Sequence, residues 1–232
     1  MGTGKTVTVS GGTLAGVDAG NYQLTSGSGS TTANITPATL TATGFAAQNK
    51  VYDRTTAATI SGGTLGGVFS GDGVSLTGLS GSFADKNVGT GKIVTVSGST
   101  LTGTDAGNYQ LTSGSGTTTA DITAATLTVS SFAAQNKVYD RTTAATVSGG
   151  TLGGAFSGDV VSLTGLSGSF ADKNVGTGKI VTVSGGTLTG TDAGNYQLTS
   201  GSGSTTANIT PAMLTATGFT AQNKVYDATT AA

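Results

Sequence analysis

The sequence contains no cysteine, histidine, tryptophan or glutamate among its 232 residues. Without cysteine there are no disulfides, thiolate nucleophiles or soft-metal sites, although this absence does not identify a cellular compartment. Without histidine, an ordinary Ser-His-Asp triad and imidazole metal ligands are excluded. Charged residues make up only 9% of the chain and the formal net charge is −1, which argues against a nucleic-acid-binding groove. No catalytic residue and no cofactor-binding residue is predicted.

Long apolar runs are also missing, while glycine, threonine and serine are abundant, with 40 glycines. Because no stretch of 18 apolar residues occurs, neither a transmembrane helix nor membrane insertion is predicted. Some disordered linkers are equally rich in glycine, but they lack aromatic residues that recur at fixed places. Such residues are present here, and the first complete set is Phe45, Tyr52, Phe69, Phe83 and Tyr109. The chain is therefore predicted to fold around small hydrophobic cores.

The opening MGTGKT looks like the end of a phosphate-binding loop, in which residues 2–6 would surround a nucleotide phosphate. The residues that follow alternate between apolar and polar, which favours a strand where such a loop requires a helix. The same phrase returns at 89–92 and 176–179, each time followed by isoleucine in place of the magnesium-binding hydroxyl residue. The opening is therefore interpreted as a loop and strand of a repeat.

A period of 87 residues organises the whole chain, and residues 39–125 differ from 126–212 at only ten positions. The predicted domains are the C-terminal part of a truncated repeat, two complete repeats and the N-terminal part of a further truncated repeat: 1–38, 39–125, 126–212 and 213–232. The partial copies are expected to result from excision of the chain from a longer array. Head-to-tail pairing of the partial copies between molecules is the alternative, although 38 and 20 residues leave 29 of the 87 unsupplied.

Polar and apolar residues alternate along each repeat, and no window shows the spacing of an amphipathic helix. Short strands, separated by turns at intervals of about 8–12 residues, predict tandem Ig-like antiparallel β-sandwiches. The strands predicted in the first complete repeat are 40–45, 50–60, 65–69, 74–76, 92–96, 109–111 and 119–122. A β-solenoid is the alternative, but its rungs should be evenly spaced, whereas residues 61–65 and their echo at 97–101 are 36 residues apart in a period of 87.

All eleven carboxylate side chains are aspartates, and the first complete repeat contains Asp53, Asp72, Asp85, Asp105 and Asp121. Calcium requires several oxygens that converge on one point, and no local cluster of this kind is present. Capping of turn amides by the side chains explains Asp72 and Asp105 more simply. No metal-ligating residue is therefore predicted.

The sequence suggests two further kinds of site. Lys92 and Asn108 are candidates for a self-formed isopeptide bond, but a lysine at the start of a strand is more often a solvated edge charge. Tyr52 and its copies Tyr139 and Tyr226 are candidates for stacking on a glycan, but a tyrosine in a strand of valine and threonine is more often a core residue whose hydroxyl lies near the rim.

Three phrases recur in the same order in the repeats: QNKVYDRTTA at 48–57, FADKNVG at 83–89 and AGNY at 106–109. Together they resemble the YDG-type repeat, which occurs in tandem in large bacterial surface proteins of the filamentous haemagglutinin and adhesin kind. This resemblance covers the whole chain and implies secretion, a cell-surface location and a scaffold role. The family phrase has glycine after Tyr-Asp, whereas Arg54, Arg141 and Ala228 stand there in this chain. If that glycine has a positive φ, arginine in its place is strained. Either the turn is compatible with right-handed dihedrals, or these copies adjust locally.

From the repeats and the resemblance, we expect structural spacer repeats of a secreted bacterial surface adhesin and no enzymatic activity. The expected partners are the neighbouring repeats of the same chain, with self-association through the incomplete end repeats as an alternative, and neither nucleic acid nor membrane. Two alternative functions remain: a subunit or segment of a self-assembling extracellular fibre, and a glycan- or ice-binding module. The ice-binding alternative is suggested by threonine runs such as 117–119.

Overall fold

The computed structural model describes residues 1–230, which contain β-strands and three short 3₁₀ helices but no α-helix. The 3₁₀ helices occupy corresponding places in the repeat, at Ala19–Asn21, Ala106–Asn108 and Ala193–Asn195. The chain divides into two units, Met1–Ala124 and Ala125–Ala232. The prediction of an all-β fold in tandem copies is confirmed.

The first unit contains one hairpin followed by one complete repeat. Its strands are β1 (Gly2–Val9), β2 (Gly29–Ile35), β3 (Ala38–Ala47), β4 (Lys50–Val51), β5 (Ala57–Ala58), β6 (Ile60–Gly66), β7 (Ser75–Thr77), β8 (Ser80–Phe83), β9 (Gly89–Ser97), β10 (Thr100–Thr102), β11 (Tyr109–Ser113) and β12 (Gly116–Thr123).

The second unit repeats this order from its first strand onward. Its strands are β13 (Ala125–Ala134), β14 (Lys137–Val138), β15 (Ala144–Ala145), β16 (Val147–Gly153), β17 (Ser162–Thr164), β18 (Ser167–Phe170), β19 (Gly176–Ser184), β20 (Thr187–Thr189), β21 (Tyr196–Leu198) and β22 (Gly203–Thr210).

Each complete repeat contains three sheets with the same strand order. In the first unit a five-stranded sheet has the order β4-β12-β9-β8-β5, a three-stranded sheet the order β11-β3-β6, and β7 pairs with β10. In the second unit the corresponding orders are β14-β22-β19-β18-β15, β16-β13-β21 and β17-β20. The near-identity of the two sequences therefore extends to their topology.

The hydrophobic core lies between the five-stranded and three-stranded sheets. Val94 and Val96 of β9 are fully buried because successive side chains of a strand point to opposite faces and these two share the inner one. Leu40 on β3 is fully buried as well. The sheets approach closely at Gly116, where an added methyl group would lie 2.9 Å from the ring of Phe45. Because glycine has no side chain, the Phe45 ring can pack directly against the backbone at this position.

Two strand pairs differ from the prediction that the sandwich is wholly antiparallel. Strands β3 and β11 are parallel, with Leu40 opposite Leu111, and β4 and β12 are parallel, with Lys50 opposite Ile122. Parallel neighbours need a long crossover connection. Here the connection is most of the repeat, because the strands that begin the repeat pair with those that end it. Closure of the repeat thus joins its first and last thirds.

The predicted strand at 50–60 is wrong in its extent. The structure has two strands of two residues, β4 and β5, and the loop between them is shaped by side chains described below. The pair Gly62–Gly63, expected to interrupt the chain, lies inside β6 with φ of 73° and 97°. These positive values, which glycine adopts without steric cost, allow an irregular strand to continue. Phe69 lies beyond the end of β6.

The two partial copies of the repeat differ in regular structure. Strands β1 and β2 form an antiparallel hairpin in which Val7 is opposite Thr31. This is the register of β9 and β12, where Val94 is opposite Thr118. Residues 211–230 contain no strand within the described chain, although closely similar sequences form β3, β4 and β13, β14 in the complete copies.

Candidate functional site

The most connected polar cluster in each repeat is the loop between β4 and β5. The Lys50 ammonium group pairs with Asp53 at 2.7 Å and donates to the main-chain oxygens of Thr55 and Ala57 at 2.9 and 3.0 Å. Asp53 in turn accepts hydrogen bonds from the Thr55 amide and hydroxyl at 2.9 and 2.8 Å. Lys50 Nζ also lies 5.8 Å from the ring centre of buried Phe83. One ammonium group thus fastens the loop to the edge of the core.

The same loop is present in the other copies of the phrase. In the second unit, Lys137 pairs with Asp140 at 2.8 Å and donates to the main-chain oxygen of Thr142 at 3.0 Å. The hydrogen bond with Lys137, followed by the Thr142 amide, lowers the pKa of Asp140 to about 2. In the partial copy, Lys224 pairs with Asp227 at 2.8 Å. The K-x-x-D-x-T spacing is the sequence signal for this loop, whose role was not predicted from the sequence.

The residue after this aspartate has a left-handed backbone in every copy. The φ angles are 69° at Arg54, 71° at Arg141 and 60° at Ala228. A positive φ brings Cβ close to the backbone and costs a non-glycine residue about 1–2 kcal/mol. The alternative that this turn is compatible with right-handed dihedrals is therefore wrong. The position where the family phrase has glycine keeps a glycine-like conformation, and these copies adopt it with a side chain.

A second lysine pair closes the loop before β9. Lys92 Nζ lies 2.8 Å from Asp85 Oδ1, and the same oxygen accepts a hydrogen bond from the Asn87 amide at 2.8 Å. The hydrogen bond from Lys92 lowers the pKa of Asp85. The Lys92 side chain is largely covered, so the interpretation as a solvated edge charge is wrong. Asn108 takes part in a different contact, accepting from the Met1 amino group at 3.2 Å, and the isopeptide candidates are not brought together.

The hydroxyl of Tyr109 ties two distant loops of the repeat together. It donates to the Asp72 carboxylate and accepts a hydrogen bond from the Phe69 amide at 3.1 Å. The bond to Asp72 raises the pKa of the Tyr109 phenol. In the second unit Tyr196 makes the same two contacts. The Phe69 and Tyr109 rings also lie with centres 6.2 Å apart. Sequence reasoning identified both aromatic residues but not that they meet, because 40 residues separate them.

Asp105 and Asp121 each stabilise a neighbouring loop. Asp105 does not cap its own 3₁₀ helix. As expected, its carboxylate caps a turn amide, accepting from the Gly73 amide at 2.9 Å. This bond lowers the pKa of Asp105. Asp121 accepts from the Gly91 amide at 2.8 Å, while its own amide donates to the Asn49 side chain at 2.7 Å. Each of these two carboxylates therefore accepts a hydrogen bond from the amide of a separate loop.

This use of the aspartates bears on metal binding. Among residues 1–230, no group of three or more metal-ligating side chains is assembled. Each of the five aspartates of the first complete repeat accepts hydrogen bonds from the protein itself, as described above. The arrangement favours internal structure over coordination of an ion.

The three tyrosines of the YD phrase lie in different environments, and Tyr226 in the partial copy is 91% exposed. Tyr52 is 1% exposed in the first unit, which is consistent with a core residue. Tyr139 is partly exposed and, with Asp140, Arg141 and Asn174, lines a cavity of about 570 Å³ at the end of the second unit. Apolar residues, among them Val175 and Leu214, also line this cavity.

Within the first unit, the hairpin lies against the complete repeat that follows it. The Met1–Asn108 hydrogen bond joins them, and a cavity of about 330 Å³ between them is lined by Ile35 of the hairpin and by Phe69 and Tyr109 of the repeat. The chain passes from β2 to β3 through Thr36 and Pro37 alone. The loops fixed by Tyr109 therefore form the surface that receives the preceding copy.

Taken together, the fold and the polar clusters define a class of small, tandemly repeated β-domains whose polar residues stabilise loops. None of the described residues lies in a helix of the length and hydrophobicity needed to cross a bilayer. The family model of the YDG domain matches the chain twice, over residues 36–120 and 123–206. The chain therefore belongs to the YDG-domain family, as its three recurring phrases indicated. Comparisons with curated proteins and with solved structures gave no match.

Proposed function

We propose that the chain is a segment of YDG repeats that serves as a stiff spacer in a secreted bacterial surface adhesin. The observation that carries the proposal is the shortness of the connections between copies. Strand β2 ends at Ile35 and β3 begins at Ala38, and β12 ends at Thr123 where β13 begins at Ala125. Connections of one or two residues, with proline in one of them, leave little conformational freedom, unlike a Gly/Ser linker.

The hairpin of the first unit supports the same proposal. Its contact with the following copy uses the loops that Tyr109 and Asp72 hold in place. A repeat that offers its neighbour a fixed surface transmits orientation along an array, and the stability of such arrays is approximately additive over neighbours. The polar residues are engaged in loop structure, so a geometric role accounts for them without any catalytic step.

The proposed location outside the cell rests on the resemblance of the repeats to those of large bacterial surface proteins. Only 9% of the residues are charged. Hydroxyl side chains of exposed threonine and serine therefore keep the surface hydrated. Labelling of intact cells that express the parent protein, with an antibody raised against the repeats, tests the proposed location. Labelling only after the cells are made permeable would contradict it.

Small-angle scattering of the dilute chain tests the spacer role. Stiff copies in line would give a rod of about 90 Å with a radius of gyration of about 26 Å. A single compact particle of 232 residues would have a radius of gyration of about 17 Å and would contradict the proposal. A variant with about six Gly/Ser residues inserted after Thr123 is the control, because a flexible connection should broaden the distribution of distances.

A further inference from the structure

The beginning and the end of each complete repeat run parallel, side by side, from one sheet into the other. In the first unit we call residues 38–52 the first segment and residues 109–123 the last segment. They pair through β3 with β11 in the three-stranded sheet and through β4 with β12 in the five-stranded sheet. The paired residues, in chain order, are Ala38 with Tyr109, Leu40 with Leu111, Lys50 with Ile122 and Val51 with Thr123.

The chain enters and leaves the repeat at opposite ends of this paired length. It enters at Ala38, where the register begins, and leaves after Thr123, where the register ends. Tension along the chain therefore pulls the two segments in opposite directions, parallel to the strands. The evenly spaced hydrogen bonds of a parallel pair are then loaded together, in shear, whereas tension across the strands would break them one after another. Simultaneous loading raises the force that is needed to separate the segments.

The remainder of the repeat lies outside this path of load. Residues 53–108 connect the two segments along the sequence and contain β5 to β10. Because the segments contact each other directly, tension passes from one to the other without stretching this connection. Separation of the two segments is therefore the event that allows the whole repeat to extend.

Side chains reinforce the pairing at both ends of the segments. The Thr112 hydroxyl donates to the main-chain oxygen of Leu40 at 2.7 Å. At the other end, the Asn49 side chain accepts a hydrogen bond from the Asp121 amide at 2.7 Å. Each of these bonds crosses from the last segment to the first, so each shares the load that separates them.

The second unit has the same arrangement. Its strands β13 and β21, and β14 and β22, are parallel in the same way. The Thr199 hydroxyl donates to the Leu127 oxygen at 2.7 Å. The Asn208 amide donates to the Asn136 side chain at 2.7 Å, although Asn208 replaces the aspartate of the first repeat. The crossing bonds are thus kept where the two repeats differ in sequence.

We propose that each complete repeat bears tension, and that the contact between its first and last segments is the mechanical clamp that resists it. This function goes beyond that of a spacer. A spacer holds its ends apart, whereas a load-bearing module also keeps its length when its ends are pulled. Scattering measures the shape of the chain without load, so the spacer proposal and this one can fail separately.

Pulling single molecules in two directions tests the clamp. Because the chain has no cysteine, handles can be attached through introduced thiols. With Thr36→Cys and Ala124→Cys the handles lie at opposite ends of the paired length and load it in shear. With Thr36→Cys and Gly107→Cys both handles lie where β3 and β11 begin, so the strands are peeled apart. A side chain added at Gly107 meets no atom within 4 Å. The two proteins contain the same repeats and differ in the direction of the force.

The force that opens the first unit is expected to be several-fold higher in shear than in peeling, because forced unfolding depends on the rate of opening and not on the equilibrium stability. In shear, opening should release about 260 Å, which is the extended length of one 87-residue repeat less its folded length. Equal opening forces in the two directions would overturn the proposal.

A change within the clamp gives a second test, with the other repeat as an internal control. When the chain is pulled from its two ends, both complete repeats are loaded in shear and should open at similar forces. Thr112→Val removes the hydroxyl that donates to Leu40 and should lower the force of one of the two opening events, while the repeat that contains Thr199 keeps its own.

Thr100→Val is the matched control for this change. The Thr100 hydroxyl donates to the Thr77 oxygen at 3.4 Å, outside both segments, so its removal should leave the opening forces as they are. An unaltered force in Thr112→Val, or an equal loss of force in Thr100→Val, would contradict the placement of the clamp.

Discussion

The complete repeats and the two partial copies have nearly the same sequence, yet within residues 1–230 only the complete repeats have a buried core. Leu40 is fully buried and its copy Leu214 is almost fully exposed. Residues 1–38 differ from 88–125 at only eight positions, so composition does not explain the contrast. What differs is the presence of the other half of the repeat. The core is thus a property of contacts between the first and last thirds of the 87 residues.

Local structure, by contrast, persists in the partial copies. The hairpin keeps the register of β9 and β12, and Lys224 keeps its contact with Asp227. The Thr229 amide still donates to Asp227 at 3.0 Å. Both features depend on residues close in sequence. The comparison therefore separates what a short segment specifies by itself from what requires the closed repeat.

The largest expected effect is a difference in unfolding free energy between truncation of buried Leu40 and truncation of its exposed copy Leu214. Leu40→Ala removes side-chain contacts from a closed core and should destabilise the first unit by about 3 kcal/mol. Leu214→Ala should leave the unfolding of both units unchanged in dilute solution. Urea unfolding of the two variants measures the difference, and equal effects would show that Leu214 has a packed environment as well.

A smaller effect is expected from the tyrosine hydroxyl that ties two loops. Tyr109→Phe leaves the Phe69 amide and the Asp72 carboxylate without this partner, so the urea midpoint of the first unit should fall. The matched change is Tyr22→Phe, at the same position of the hairpin, where the ring is exposed. No shift of the midpoint is expected for it. Reversal of this order would contradict the role of the hydroxyl.

The Tyr109 bond also gives a dependence on alkaline pH. Because the pKa of the folded state lies above the ordinary value of 10.0, its contribution is complete below pH 10 and is lost as the pH rises through the folded pKa. Absorbance titration should therefore show the Tyr109 phenol ionising above its ordinary pKa of 10.0. If the pH dependence of unfolding is the same in Tyr109→Phe as in the unaltered chain, the hydroxyl is not the cause.

Acid should weaken the second unit through Asp140. Its folded pKa is about 2, below the ordinary value of 3.8, so its contribution is complete above pH 3.8 and is lost as the pH falls toward 2. Asp140→Asn should lower the urea midpoint of the second unit near neutral pH. The difference in midpoint between this variant and the unaltered chain should disappear in acid. The pKa of Asp227 is lowered by the corresponding lysine, yet Asp227→Asn should not change the unfolding of either unit, because residues 211–230 form no strand.

The smallest effects are expected at the left-handed positions. Arg54→Gly should stabilise the first unit by about 0.5–1 kcal/mol, since relief of strain exceeds the added entropy of the unfolded chain. Gly44 and Ser131 provide a reciprocal test, because they occupy the same position with φ of 71° and 61°. Ser131→Gly should stabilise the second unit and Gly44→Ser should destabilise the first by similar amounts. Thermal unfolding checks the signs, and a destabilising Arg54→Gly would contradict the strain.

Structural features could be predicted from the sequence where the interacting residues are close together along the chain, and could not where they are far apart. The strand around Val94, the turns at 85–87 and 105–108 and the repeat period followed from local pattern. The parallel pairing of β3 with β11 and the contact of Tyr109 with Asp72 did not, because nothing in a short window records which distant segment lies opposite. The loop at Lys50 is a separate case, because its residues are close together in the sequence. It was predicted to be part of a strand because valine and threonine alternate there, whereas the structure has a turn held by the Lys50 side chain.

Hydrogen exchange of the dilute chain tests most directly whether the closed repeat, and not the strand sequence, provides stability. Peptides of β1 and β9 can be told apart because Thr6 replaces Ile93. The account predicts that amides of β9 exchange on the order of 100-fold or more slowly than those of β1, since they require opening of a closed unit. Equal protection of β1 and β9 in monomeric chains would contradict it.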